Sequence, residues 1–162
     1  RVFVFGGYGR SAEGDWTAMT DVWVYDRCPA NISGARDDGN LPFNFVPPHN
    51  GGHLRIVQSD PKPADCDPKD DKFIVPPHPP KKTEGGTWER GGQNLFNTRI
   101  HKSETLDYGI LLAGSRVLLL DDGEHAMKPG DTVVQIGSWH AWGNPNDGSQ
   151  MAFVMMGASF EE

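Results

Sequence analysis

His101–Asn144 reads HKSETLDYGILLAGSRVLLLDDGEHAMKPGDTVVQIGSWHAWGN, a series of short aliphatic stretches cut by turns. Leu106–Ala113 and Arg116–Leu120 are rich in aliphatic residues and meet at Gly114-Ser115. Asp121-Asp122-Gly123 has hairpin-turn chemistry, because Gly supplies positive φ and Asp tolerates it. Lys128-Pro129-Gly130-Asp131 is a second turn, with Pro presetting φ for the bend. Thr132–Gln135, Trp139–Trp142 and Met151–Met156 follow as strands. Strands at this spacing, with no sustained helical period anywhere, predict an all-β sandwich or small barrel.

The same residues carry a family resemblance. Gly137, His140 and Asn144 match the closing G-x2-H-x3-N of the cupin pattern, after the Pro129-Gly130-Asp131 turn. The opening motif, G-x5-H-x-H-x3,4-E-x6-G, is altered. Counting back from Gly114, the carboxylate position holds Asp107, the second histidine position holds Ser103, and the first holds His101. The segment is similar to small single-domain cupin-2 proteins, and Asp21, Trp23, Asp26, Pro29 and Ala30 fit a phrase that precedes the barrel in that subgroup. The resemblance implies a jelly-roll, or double-stranded β-helix, barrel with long N-terminal loops.

Composition bounds the rest. A chain of 162 residues suits one domain, one that buries about 70% of the surface its unfolded form exposes. Twenty Gly and thirteen Pro with 36% hydrophobic residues describe a turn-rich β-protein. The net charge of −7 argues against a nucleic-acid or anionic-membrane surface, since both need clustered cations. No apolar run approaches the ~20 residues of a membrane span, and no signal-peptide pattern opens the chain; the expected location is cytoplasmic. The first residue is Arg1, so a preceding piece trimmed away is also an expectation. Cys28 and Cys66 lack metal-ligand spacing and are expected as free thiols. The sequon at Asn31 is discounted without a secretory signal.

Three regions are expected within one domain over residues 1–162: N-terminal strands in 1–58, a long Pro-rich loop over 59–92, and the barrel core over 93–158. Val2–Phe5 and Val22–Tyr25 resemble a single propeller blade, but no second copy of the pattern exists to close a propeller. Leu54–Gln58 is a further strand. Proline density and mixed charge over 59–92 leave no room for regular strands. With Phe73-Ile74-Val75 and Trp88 as apolar anchors, an ordered loop around the barrel is expected there, reaching a second subunit in one arrangement.

An extended strand from His101 puts Ser103, Thr105, Asp107 and Gly109 on its face. His140 and Trp142 share a face of a later strand, and the resemblance turns both faces into the barrel. His101, Asp107 and His140 can then converge in two ways. Two imidazoles and a carboxylate form the facial triad that holds Fe(II), so one divalent ion (Fe, Mn, Ni or Zn) is one expectation. The other is no cofactor, with His101, Asp107, Tyr108 and His140 as a metal-free polar cluster able to move protons. Ser103, Thr105, Trp139, Trp142 and Phe153 are expected to shape the substrate site. Arg55, Arg99 and Arg116 suit a substrate carboxylate, but sequence places none of them inside. His49, His53, His78 and His125 are read as solvated loop residues.

Three functions follow. The first is non-redox acid–base chemistry on a secondary-metabolite-like small molecule: dehydration, decarboxylation, isomerisation or cyclisation by a lyase or isomerase. The alternatives are a metal-dependent dioxygenase and a non-catalytic small-molecule-binding barrel. A homodimer is expected because open sheets have edges to protect.

Overall fold

In the computed structural model, residues 19–25, 45–49, 51–62, 64–65, 74–144 and 147–160 are described. Among them every regular element is a strand. The reason is local: apolar and polar residues alternate with period two, and Gly- or Pro-bearing turns interrupt each run before a helical face can form.

The principal sheet has five antiparallel strands in the order β1 (Met19–Tyr25), β2 (Gly52–Ser59), β11 (Ser149–Gly157), β6 (Thr105–Gly114) and β9 (Thr132–Gln135). Along β6, Thr105, Asp107, Gly109 and Leu111 are buried while Tyr108 and Leu112 are exposed. That alternation makes one face of the sheet the barrel interior. β11 lies in the centre, pairing with β2 on one side and β6 on the other, with a register shift at Gln150/Met151. A second sheet holds β10 (Ala141–Gly143), β7 (Arg116–Leu120) and β8 (Gly123–Met127). Between the two sheets Leu111, Leu118, Met127, Trp142 and Met151 form the core.

The turns behave as their chemistry requires. β7 and β8 are joined through Asp121-Asp122, with Leu120 paired to Gly123. Gly130 has φ of 94° after Pro129, the type II arrangement, and the Asp131 carboxylate accepts from the Lys128 amide at 2.9 Å.

The 59–92 region departs from expectation. Its Lys81–Lys82 (β3) and Trp88–Glu89 (β4) pair with each other, and β4 pairs with His101–Lys102 (β5), making a third small sheet. Buried Glu89 holds it in place, with Arg99 at 2.8 Å and Lys81 at 3.1 Å. β5 delivers His101 to the interior: His101 and His140 exchange backbone hydrogen bonds at 2.8 and 2.9 Å. The expected strand at Val2–Phe5 and both cysteines lie outside the described residues. No helix among the described residues is long and apolar enough to cross a membrane.

Candidate active site

A cavity of about 160 Å³ lies on the inner face of the large sheet, and its lining includes Arg55, His101, Asp107, Arg116, His140 and Trp142. Glycine makes the room. A Cβ on Gly109 would stand 3.0 Å from the Phe153 ring and 3.4 Å from that of Trp142. A cavity of roughly 150 Å³ admits one benzene-sized molecule, so the space fits a single ring or the reacting end of something longer.

The two histidines are the closest chemical pair, with ring centroids 4.4 Å apart. His101 Nδ1 lies 2.8 Å from the Arg99 carbonyl, and His140 Nδ1 lies 2.9 Å from that of Ser138. A carbonyl only accepts, so each Nδ1 carries the proton and each Nε2 of the neutral ring is bare. Burial keeps both rings neutral. It lowers the His101 pKa, and burial followed by the neighbouring His101 takes His140 down to about 4.

Asp107 is the carboxyl group on the cavity lining. Burial pushes its carboxyl up to about 6, against the opposing pull of the Thr105 hydroxyl and the Arg55 guanidinium. Its Oδ1 is buried without a hydrogen-bond partner. A carboxyl raised in this way suits general acid–base chemistry near neutral pH.

The bare Nε2 atoms are good metal donors. Among the described residues, however, no three His, Cys, Asp or Glu side chains come close enough to hold one ion. The chain bends at Ser103–Glu104, between β5 and β6, so His101 and Asp107 are not on one continuous strand. The triad expected from alternation does not close into a cage in this geometry.

Other expected residues divide clearly. Trp142 and Phe153 line the cavity. Ser103 and Thr105 are buried and bonded to each other at 2.7 Å, and neither is on the cavity lining. Tyr108 requires correction: it is 37% exposed on the outer face of β6, because its neighbours Asp107 and Gly109 face inward. Trp139 also stands outside, with Arg90 and Lys102 over its ring at 5.0 and 5.3 Å. His53 is not a solvated loop residue; it is buried on β2, with Nε2 3.2 Å from Met155 Sδ, and burial lowers it to about 4. Arg55 and Arg116 reach the cavity, whereas Arg99 pairs with Glu89. The signal for Arg55 was its position two residues after His53 and two before Val57 on one strand face; Gln135, also on the lining, ends β9 with no comparable signal.

Fold and site together define an all-β barrel of the cupin type, with a largely apolar cavity into which a few ionisable side chains reach. No protein-family model matches the chain. It is similar to a cupin-domain-containing oxidoreductase of Aspergillus ruber, 37% identical over 62 residues that cover 35% of this chain and 30% of that protein. A phomopsin biosynthesis cluster protein of Diaporthe leptostromiformis is 39% identical over 71 residues, 42% of this chain and 35% of that protein. The chain thus spans about a third of the length of these curated relatives. Among solved structures, a cupin 2 conserved barrel domain protein from Salinispora arenicola superposes with a TM-score of 0.44 at 14% identity, over 94% of this chain and 90% of that one.

Proposed function

We propose that this chain is the catalytic barrel of a biosynthetic enzyme that moves protons on a small secondary metabolite without redox chemistry, as a lyase or isomerase. The observation that carries the reading is the neutral His101–His140 pair facing the same cavity as Asp107. Asp107, ionised at neutral pH and with a pKa of about 6, takes a proton from an acidic carbon or hydroxyl and returns it elsewhere. His101 and His140 accept hydrogen bonds from substrate hydroxyls through Nε2, orienting the reacting bond. Their closeness disfavours a proton on both rings at once. Trp142 and Phe153, ring centroids 5.3 Å apart, form the apolar wall. The names of the relatives, a biosynthesis cluster protein among them, support the metabolic setting. An extract of secondary metabolites incubated with the protein in deuterated water tests the reading. Deuterium uptake, or loss of water or carbon dioxide, that disappears in Asp107→Asn supports it; the same change in that variant at the wild-type rate removes it.

A second reading is a metal-dependent oxygenase. It is favoured by the two bare Nε2 donors and by the oxidoreductase name of one relative. About one equivalent of iron, manganese, nickel or zinc per chain, lost in His140→Ala, distinguishes it.

The partners in this proposal are the substrate and a second copy of the chain. Tyr108, Leu112, Val134 and Ile136 are exposed on or beside β6 and β9, Ile136 at 77%, and β9 is an edge strand. Apolar edges of this kind favour pairing. Light scattering at twice the chain mass supports the dimer, and a monomer mass removes it.

A further inference from the structure

Arg116 is a buried charge that no carboxylate among the described residues answers. It is 5% exposed and lines the cavity. Its Nη1 donates to Ser59 Oγ and to Asn144 Oδ1, each at 2.9 Å, and both acceptors are neutral. Its Nε is buried without a hydrogen-bond partner. Among the described residues it makes no ion pair. Burial lowers it only to about 10, so it is cationic at neutral pH. Taking an uncompensated guanidinium out of water is costly, and this one belongs to a residue on the lining of a cavity.

Its placement is specific. β10 pairs with β7, Ala141 opposite Leu119 and Gly143 opposite Val117. Asn144, which holds Arg116, lies four residues beyond His140, about 13 Å along an extended chain. Trp142 stands between them on the lining. Arg116 thus shares one cavity lining with His101, His140, Asp107 and the Trp142 ring, while the other buried cation there, Arg55, acts on Asp107 and His101.

We propose that Arg116 seats a carboxylate of the substrate, holding the molecule across Trp142 with its reacting end at His101, His140 and Asp107. One negative charge matches one guanidinium flanked by two neutral groups, and a carboxylate accepts from the remaining edge in the fork geometry that suits it. The inference deepens the proton-transfer reading above and rests on it for what happens at the far end.

Benzoate, which fits the cavity as one ring, is the probe, with benzamide as its neutral counterpart and inorganic phosphate as the competing anion. In protein labelled with nitrogen-15 arginine, the Arg116 Nε–H resonance, assigned by its loss in Arg116→Lys, is followed during titration. The expected result is a shift with benzoate at least tenfold tighter than with benzamide or phosphate. In Arg116→Gln the preference for benzoate should disappear, and in His140→Ala it should persist. Equal binding of benzoate and benzamide overturns the inference, as do failure of benzoate to shift the resonance, tighter binding of phosphate, or a preference that survives in Arg116→Gln. Should Arg116→Gln not fold, the wild-type resonance decides alone. None of these readouts needs turnover, so loss of the proton-transfer reading would leave the benzoate result standing.

Discussion

His101 and His140 face each other across an antiparallel bridge, with ring centroids 4.4 Å apart and reciprocal backbone hydrogen bonds of 2.8 and 2.9 Å. The backbone bonds fix the spacing of the rings, and the carbonyls of Arg99 and Ser138 fix their tautomers. His140 is expected as the neutral Nδ1–H tautomer in nitrogen-15 spectra from pH 5 to 8, and His101 as the same tautomer with its titration below the ordinary histidine range. An imidazolium signal from His140 at pH 6 would contradict this.

Asp107→Asn removes the group that titrates near neutrality. Turnover should fall by about 10²–10⁴, and the acid limb of the pH–rate profile near pH 6 should vanish with it. Because the folded environment disfavours the ionised carboxylate, the variant should melt no lower than the wild type above pH 6. A lower melting temperature there would show that Asp107 acts as a structural ion.

Acid stability follows from opposed shifts. His53 and His140 are lowered to about 4, so between pH 6.5 and 4 the unfolded chain binds more protons at these sites and stability falls as pH falls. Each contributes a slope of up to about 1.4 kcal/mol per pH unit. Asp107, raised from 3.8 to about 6, opposes them across that window, since its folded form holds the proton. The histidines outnumber it, so urea midpoints should drop from pH 6.5 toward pH 4. His140→Gln should flatten the slope, and an unchanged slope would count against a buried neutral ring.

Much of the barrel was legible because turn chemistry bounds it. Arg116–Leu120 and Thr132–Gln135 form strands with the expected limits, each flanked by turn residues that permit little else. β8 was not, since in Gly123–Met127 only Met127 is buried and there is no apolar alternation to see. The small third sheet rests on two-residue strands too short to show alternation, a hairpin of β3 with β4 and a longer-range pairing of β4 with β5, and the Pro-rich composition concealed it. At the site, alternation identified Asp107 and the inward Trp142, and the same rule applied strictly would have turned Tyr108 outward. Arg55, His53 and Arg116 were hard to place because a charged or polar residue on a strand ordinarily marks the wet face; here three of them face inward.

Gly109→Ala tests the cavity. The added methyl meets Phe153 and Trp142, so benzoate affinity should fall about tenfold, with an overpacking cost of about 1–3 kcal/mol in stability. Unchanged affinity would place the ligand elsewhere.

The central claim is proton transfer at Asp107 beside two neutral histidines. Its most direct test is mass spectrometry of a secondary-metabolite extract incubated with chelator-treated protein under anaerobic conditions in deuterated water. The account predicts deuterium incorporation or loss of 18 or 44 mass units that persists without oxygen or added metal and is absent with Asp107→Asn. A product that gains oxygen, and forms only when oxygen and metal are restored, would contradict it.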